Sequence, residues 1–351
     1  MYQKLLKRTT IYCFVFFVIA ITGMFYYDAN KIIVIADSST VSANSNGDSK
    51  AGLSTQYQLL MESNNNGKNQ FVIPLESSIM AEDVQIENHY VEKQLWIGLN
   101  GATNDFYSRQ YIKGNLESVS HGGYDITDGT LWIKLEMKEI YEFESTMNNG
   151  KLTIKMEKPK NVYDKIIVID AGHGGEDKGN VNGRLCEKDV ALNIALMLKE
   201  KLKDSDIKVY FTRTEDANVD DEKRVGLANG VEADMYISIH TSYAEDLAKS
   251  GVNTIYNPYF FIQNFDSIGL ADELEKKVAV ATGAKAEGLM APSEDNYIVS
   301  AATVPVAQIN VGYLSNEDES ELLSKGEYQE MITEGIYNAI IAIYEEKLQN
   351  D

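Results

Sequence analysis

The segment 165–175 reads Lys165-Ile166-Ile167-Val168-Ile169-Asp170-Ala171-Gly172-His173-Gly174-Gly175, an apolar run that breaks into an acidic residue and a histidine among three glycines. A short apolar run of β-branched residues before glycines predicts a strand. Glycines carry no side chain, so they leave space around His173 for an ion, a water molecule and a bulky substrate. The segment therefore predicts a buried strand with a metal site at its end.

The rest of the C-terminal half alternates predicted strands and helices. This order predicts an α/β domain with a mostly parallel sheet flanked by helices, in which ligands collect at the carboxyl ends of the strands. We assign residues 162–351 to this domain. Its strands are predicted at 166–169, 208–212, 235–239, 252–256 and 304–311, and its helices at 189–202, 221–229, 268–281 and 328–347.

Two more metal-binding residue types stand at predicted element ends. Glu187 lies in Leu185-Cys186-Glu187-Lys188-Asp189 at a helix start, and His240 ends the run Tyr236-Ile237-Ser238-Ile239-His240. Two imidazoles and one carboxylate form the ligand set of a catalytic zinc site that leaves a fourth position to water. Cys186 is an alternative thiolate ligand, but adjacent residues of an extended chain point in opposite directions, which favours a packed thiol.

At these residues the chain resembles the zinc-dependent N-acetylmuramoyl-L-alanine amidases, whose pattern runs Asp-Pro-Gly-His-Gly-Gly, Glu-Lys-Asp, Ser-Ile-His and Gly-Phe-Leu-Ser-Asn. The resemblance covers about Val162 to Leu348. It implies that His173, Glu187 and His240 bind Zn²⁺. It also implies that the substrate is the peptidoglycan amide between the lactyl group of N-acetylmuramic acid and the first L-alanine of the stem peptide.

Five further residues of these motifs are expected near the metal or the substrate. Asp170 is expected to orient a ligand, and Asp189 to cap the helix that follows Glu187. The resemblance places the remaining three, Gly174, Gly175 and Arg213, beside the ligands or the substrate.

One position departs from the family pattern in a way that affects the chemistry. The family has a catalytic glutamate two residues before the glycine of Gly-Phe-Leu-Ser-Asn, where this chain has Asn310 before Gly312. An amide has no protonation equilibrium near neutral pH, so it cannot act as the general base. General acid–base catalysis contributes roughly 10²- to 10⁴-fold. The substitution therefore predicts a slow or silent enzyme.

Several interpretations of Asn310 stay open. Another carboxylate could replace the glutamate, either in the pair Glu294 and Asp295 or in the pair Glu176 and Asp177, although these side chains also fit a solvated acidic surface. Alternatively, the chain is a catalytically impaired homologue that binds peptidoglycan or regulates another hydrolase. A zinc peptidase that cuts within the stem peptide fits the ligands but not the remaining motifs.

The N-terminal residues 1–30 predict a cytoplasmic tip and a signal anchor. Basic residues precede the uncharged run from Ile11 to Tyr27, whose seventeen residues reach the lower limit of about 17 to 25 for a transmembrane helix. The positive charge predicts a single-pass bacterial membrane protein with its catalytic domain outside the cytoplasm, facing the wall. The protein would instead be secreted if the segment were cleaved. Residues 31–56, rich in Ser and Asn from Ser38 onwards, predict a flexible linker.

Residues 57–158 predict an all-β sandwich, whose position before the catalytic part resembles that of the wall-localisation domains of some amidases. Period-two runs and the turns at Asp128-Gly129 and Asn148-Asn149-Gly150 predict short strands joined by hairpins. Trp96 and Trp132 on these strands are expected in the core rather than as a sugar-binding surface.

The composition limits the partners. The chain of 351 residues has 53 acidic and 32 basic side chains, a net charge of −21, which excludes a basic nucleic-acid surface. The expected partners are peptidoglycan and, through the anchor, the membrane. An aromatic group around Pro258 fits either stacking on a glycan or stem peptide or closure of the sheet edge; its members are Tyr256, Tyr259, Phe260 and Phe261.

Overall fold

The computed structural model describes residues 31–32, 55–64, 68–258 and 265–346. The predicted anchor, residues 1–30, and most of the predicted linker lie outside this range. Within the described part of the chain, no helix is both long and apolar enough to cross a membrane. The described residues form an N-terminal β-sandwich and a C-terminal α/β domain.

The N-terminal part consists of two sheets. Their strand orders are β1-β10-β11-β4-β7-β3 and β2-β8-β9-β6-β5. Strand β1 falls inside the predicted linker and pairs antiparallel with β10. A 3₁₀ turn, Ala81–Asp83, and a short helix, α1 (Asn104–Tyr107), interrupt the strands. The strands are β1 (Lys31–Ile32), β2 (Tyr57–Gln58), β3 (Leu60–Ser63), β4 (Gln70–Pro74), β5 (Val84–His89), β6 (Gln94–Asn100), β7 (Tyr111–Gly114), β8 (Val119–Thr127), β9 (Thr130–Met137), β10 (Glu142–Asn148) and β11 (Lys151–Glu157).

Period-two patterning explains the packing of this sandwich. Alternate residues of β6 and β9 are fully buried, and they share one apolar cluster with Phe71 and Ile73 of the other sheet. The hairpin turns take the backbone conformation that favours Asn-Gly and Asp-Gly pairs. Asp128 and Gly129 have φ of 51° and 80°, and Asn149 and Gly150 have φ of 49° and 69°.

The expectation that Trp96 and Trp132 lie in the core is wrong. Both side chains are half-buried and point away from the core residues that alternate with them. Trp132 covers Gly98, where a Cβ atom would lie 2.9 Å from the ring. The ring centroid of Trp96 lies 4.4 Å from that of His89. Lys134 Nζ lies 4.3 Å from the Trp96 centroid. Successive side chains of a strand point to opposite faces of the sheet. This alternation, rather than the size of the aromatic side chain, decides which face the two tryptophans occupy.

The C-terminal part has one six-stranded sheet of order β15-β12-β16-β19-β17-β18. Strands β17 and β19 pair antiparallel, and the other neighbours pair parallel. A two-stranded hairpin, β13 and β14, precedes the second helix of this part. The elements are α2 (Pro159–Val162), β12 (Ile166–Ala171), β13 (Val181–Asn182), β14 (Leu185–Cys186), α3 (Glu187–Leu202), β15 (Lys208–Phe211), α4 (Asp221–Gly230), β16 (Met235–Ser242), β17 (Val252–Tyr256), α5 (Ser267–Thr282), β18 (Ala286–Met290), α6 (Tyr297–Ser300), β19 (Val306–Tyr313), α7 (Glu317–Leu323) and α8 (Gly326–Glu346).

The register of the sheet brings the motif residues to one edge. Asp170 of β12 pairs with Ser238 of β16, and His240 of β16 pairs with Asn310 of β19. Parallel partners in register point to the same side of a sheet. The segments that follow β12 and β16 therefore start beside each other and beside Asn310.

The two parts share an interface with buried apolar and polar contacts. Tyr90 and Ile140 of the sandwich join an apolar cluster with residues of α4 and β12. Glu142 of β10 accepts hydrogen bonds from the hydroxyl groups of Tyr90 and Tyr210, and Lys208 lies 3.6 Å from the same carboxylate. The sandwich therefore packs directly on the α/β domain.

Candidate metal centre

Three predicted ligands meet at the edge of the α/β sheet. His173 Nε2 lies 3.3 Å from Glu187 Oε2, and His240 Nδ1 lies 2.9 Å from Glu187 Oε1. One ligand atom from each residue lies within 4.8 Å of the others. No other such group of three His, Cys, Asp or Glu residues occurs in the described residues, and Cys186 is not a member of this one. The arrangement can hold a metal ion.

Glu187 is fixed as a charged carboxylate. It is the first residue of α3 and is buried. Its oxygens accept hydrogen bonds from the backbone N–H groups of Asn180 and Thr241, both at 2.8 Å. Burial raises the pKa of Glu187, but the contacts with His173 and His240 lower it well below the ordinary value. A charged, preoriented carboxylate between two imidazoles suits a divalent cation.

Asp177 orients His173. The His173 backbone is left-handed, with φ of 59°, and its Nδ1 lies 2.7 Å from Asp177 Oδ2. This contact leaves Nε2 facing Glu187. Burial lowers the pKa of His173, but Glu187 and Asp177 together raise it to about 9. Carboxylate support of a metal-binding histidine fixes both its ring orientation and its tautomer.

The space left by the missing side chains of these glycines is filled by neighbouring protein atoms. A Cβ atom on Gly172 would lie 2.3 Å from the His240 ring, and one on Gly179 would lie 2.6 Å from Glu187 Oε2. At Gly174 it would lie 2.1 Å from the carbonyl oxygen of Ala217. The expectation that the glycines beside His173 make space for a substrate is therefore wrong for Gly174 and for Gly175, which packs against residue 218.

Asp170 was expected to orient a metal ligand, but its side chain contacts none of the three predicted ligands. Its buried carboxylate accepts hydrogen bonds from Thr212 at 2.6 Å, Ser238 at 2.5 Å and Arg224 at 2.6 Å. Burial raises the pKa of Asp170, but Arg224 and the two hydroxyl groups lower it to about 2. Arg224 also donates to the carbonyl oxygens of Ala171 at 2.8 Å and His173 at 2.7 Å. Asp170 therefore acts on the ligand loop through Arg224.

Arg213 holds the same loop from a second direction. Its guanidinium donates to the carbonyl oxygens of Ala171 and Gly172, each at 2.8 Å, and to that of Lys188 at 2.9 Å. The residue is buried. Arg213 is thus committed to the backbone of the ligand loop and the start of α3, and it does not line the cavity beside the metal-binding group.

Asp189 does not cap α3. The helix begins at Glu187, Cys186 occupies the N-cap position, and Asp189 is exposed in the first turn. The expectation placed the helix start two residues too late. A carboxylate in the first turn still interacts favourably with the helix dipole.

A cavity of about 400 Å³ adjoins the metal-binding group. Its lining includes His173 and His240, the residues 218–221 together with Arg224, and the segment 295–298. Gln308 of β19 completes the wall next to His240. The cavity is large enough for part of a sugar–peptide substrate.

Asn310 is sealed behind this wall. The residue is 5% exposed. Its Nδ2 donates to Asn253 Oδ1 at 2.7 Å, and its Oδ1 accepts from Gln308 Nε2 at 3.1 Å. Gln308 in turn accepts from Asn296 Nδ2 at 2.8 Å. A chain of amides therefore occupies the place where the family has its glutamate.

The four alternative carboxylates are placed differently. Glu176 and Glu294 do not line the cavity, whereas Asp177 and Asp295 do. Asp177 is committed to His173. Of the aromatic group, Tyr259, Phe260 and Phe261 lie outside the described residues, and Tyr256 packs against the apolar core of the α/β domain.

Comparison with known proteins identifies the family. A family model described as N-acetylmuramoyl-L-alanine amidase matches residues 167–342, half of the chain. The chain belongs to this amidase family. The region that matches contains all three predicted metal ligands and Asn310, so the amidase domain of this chain coincides with the α/β part of the structure.

Relatives of this amidase match the same part. This chain is 34% identical over 197 residues to the germination-specific N-acetylmuramoyl-L-alanine amidase of Bacillus subtilis (strain 168). The match covers 52% of this chain and 81% of that protein. It is 29% identical to the probable cell wall amidase LytH of Staphylococcus aureus, covering 50% and 57%. The solved catalytic domain of CwlV from Bacillus (Paenibacillus) polymyxa var. colistinus is 30% identical and covers 52% of this chain and 99% of that one, with a TM-score of 0.48.

Replacement of Asp170 with Asn should lower the free energy of unfolding of the metal-free protein by about 3–5 kcal/mol, because it leaves the buried Arg224 without its charge partner. Urea denaturation measures the change. Asp221→Asn is the matched control, since that exposed carboxylate lies 3.8 Å from Arg224 Nε and should contribute less than about 1 kcal/mol. Equal losses in both variants would contradict the assignment.

The affinity of the metal-free protein for Zn²⁺ should rise about tenfold per pH unit between about pH 7 and 8.5. The pKa of His173 is raised to about 9, so below that pH the ring must release a proton before it can bind a metal. Competition with a chelator at several pH values measures the slope. Asp177→Asn removes one cause of the raised pKa, so the plateau should move to lower pH. The same affinity at pH 7 and 8.5 would refute the expectation.

Proposed function

We propose that the chain hydrolyses the amide between N-acetylmuramic acid and L-alanine in peptidoglycan, with Zn²⁺ held by His173, Glu187 and His240. One observation supports the proposal above all others. In a chain of this amidase family, one ligand atom from each of these residues lies within 4.8 Å of the others, beside a cavity. The reaction remodels the cell wall.

The protein residues have separable roles in this reaction. Bound Zn²⁺ supplies Lewis-acid polarisation of the carbonyl and lowers the pKa of water. Asp177 fixes the His173 ring, and two backbone N–H groups fix Glu187. In this proposal, the muramoyl group and the stem peptide would contact the cavity wall formed by residues 218–221, Arg224 and residues 295–298.

The location of the enzyme follows from the proposed anchor. The uncharged run from Ile11 to Tyr27 would hold the protein in the bacterial membrane, with the amidase domain facing the wall. We propose that the sandwich, residues 57–158, helps to place the domain on peptidoglycan. With a net charge of −21, general electrostatic attraction to an anionic wall polymer is unfavourable, so placement depends on the anchor or on specific contacts.

A second candidate function is favoured by Asn310 alone. If no group replaces the family glutamate, the chain binds peptidoglycan and regulates another hydrolase without turnover. Binding of the purified protein to intact sacculi, with no release of stem peptides, would support this candidate over hydrolysis.

Zinc analysis and digestion of muropeptides test the proposed reaction. The purified protein should contain one Zn²⁺ per chain, and mass spectrometry should show free stem peptides that begin with L-alanine. The double variant His173→Ala/His240→Ala should lose both the metal and the products. Products cut between two amino acids would instead identify a peptidase, and Zn²⁺ retained by the double variant would exclude this ligand set.

A further inference from the structure

We propose that Asp295 supplies the acid–base group that Asn310 lacks. The inference rests on the proposed amide hydrolysis and extends it to a residue outside the motifs of the family. It starts from the question of which carboxylate can reach the substrate once the family position is occupied by an amide.

The cavity contains few carboxylates that are free to exchange a proton with a substrate. Asp170 is buried and bonded to Arg224, Thr212 and Ser238. Asp177 contacts His173, and Asp221 lies 3.8 Å from Arg224. Asp295 is exposed and lines the cavity, and its carboxylate has no hydrogen bond or ion pair among the described residues.

Asp220 also lines the cavity. Asp295 is the better candidate because of its position relative to Asn310. The next residue, Asn296, donates to Gln308, and Gln308 donates to Asn310. Asp295 therefore lies on the wall that the amide chain connects to the family's catalytic position. Asp220 belongs instead to the wall formed by residues 218–221, next to the buried arginine that holds the ligand loop.

The proposed step balances protons and bonds. The Asp295 carboxylate accepts a proton from the attacking water as the water oxygen bonds to the lactyl carbonyl carbon. The carbon–nitrogen bond then breaks, and the carboxyl group returns the proton to the nitrogen of L-alanine. The immediate products are the lactyl carboxylic acid, which keeps the second proton of the water, and a stem peptide with a free amino group; the acid then releases that proton to the amine or to solvent, and Asp295 is again a carboxylate.

The conformation of the loop does not depend on the carboxylate. Asp295 fixes its turn through its backbone, where the carbonyl oxygen accepts from Tyr297 N at 2.9 Å. Asn296 caps α6 by accepting from Val299 N at 3.1 Å. The substitution Asp295→Asn therefore removes the proton carrier without removing a described side-chain contact.

The family position can receive a carboxylate in the same protein. In Asn310→Glu, the new carboxylate would face Asn253 Oδ1, which accepts from Asn310 at 2.7 Å. Reversal of the Asn253 amide would turn its N–H group towards the carboxylate. Its oxygen would then face Ser242 and Tyr313, whose hydroxyl groups can donate. Glu at residue 310 is therefore compatible with its surroundings.

The test uses the zinc-loaded full chain and a muropeptide as the probe. Asp295→Asn should lower kcat by about 10²-fold or more, while Zn²⁺ content and the muropeptide Kd from calorimetry change less than about threefold, a shift below about 0.7 kcal/mol. Glu294→Gln is the matched control, because it removes the same charge from the adjacent residue outside the cavity. It should leave kcat unchanged. In Asp295→Asn/Asn310→Glu, kcat should recover by at least about tenfold.

Two results would overturn the role of Asp295. One is unchanged kcat in Asp295→Asn. The other is a wild-type chain that binds Zn²⁺ and muropeptide without turnover but gains activity through Asn310→Glu. That result would mean that the amidase site is intact and that no residue of the natural chain replaces the missing base. Failure of the proposed function is distinguishable, since neither the wild-type chain nor Asn310→Glu would then release stem peptides.

Discussion

The metal-binding geometry depends on the buried ion pair of Asp170 and Arg224. The loop after β12 places the carbonyl oxygens of residues 171, 172 and 173 against arginine side chains rather than water. A buried carbonyl without a donor costs free energy, and a left-handed φ at a histidine is strained. The guanidinium groups of Arg224 and Arg213 satisfy these carbonyls, and Asp170 neutralises Arg224. The protein thus fixes the His173 backbone before any metal binds.

The sequence predicted that His173, Glu187 and His240 would lie together because their pattern is local. An apolar run that ends at His173 or His240 marks a strand end, and adjacent parallel strands bring such ends together at one edge. Predicted element boundaries in the α/β domain agree with the structure to within a few residues. Strand β18 and helix α7 were not predicted, because neither has a strong periodic pattern over its short length.

The supporting contacts could not be predicted from the sequence in the same way. Arg213 and Arg224 lie about forty and fifty residues from the loop they hold, and a side-chain pair at such separation leaves no local pattern. Asp177 has a clearer signal, since it follows His173 by four residues. The prediction nevertheless treated it as a substitute base. The start of α3 was predicted two residues too late because Asp is a better N-cap residue type than Cys. In the structure the helix begins at Glu187, so Cys186 takes the N-cap position.

Asn310 shows why residue identity alone is insufficient at a catalytic position. The sequence showed that a proton carrier is missing, but not that the amide is engaged at both ends by Asn253 and Gln308. An amide chain of this kind is stabilised by the fit of each donor to an acceptor. Asn310 is therefore part of a local hydrogen-bond network. Whether the chain hydrolyses its substrate depends on the acidic residues of the cavity wall rather than on Asn310.

The sandwich contributes to the same site through α4. Val225, Leu227 and Ala228 of this helix are buried in one cluster with Tyr90 and other residues of the sandwich. The same helix carries Arg224, whose side chain holds the ligand loop. Removing the sandwich would expose part of that apolar cluster to water, at about 25 cal/mol for each Å² of apolar surface. The N-terminal part therefore supports the orientation of α4, in addition to any role in placing the enzyme on the wall.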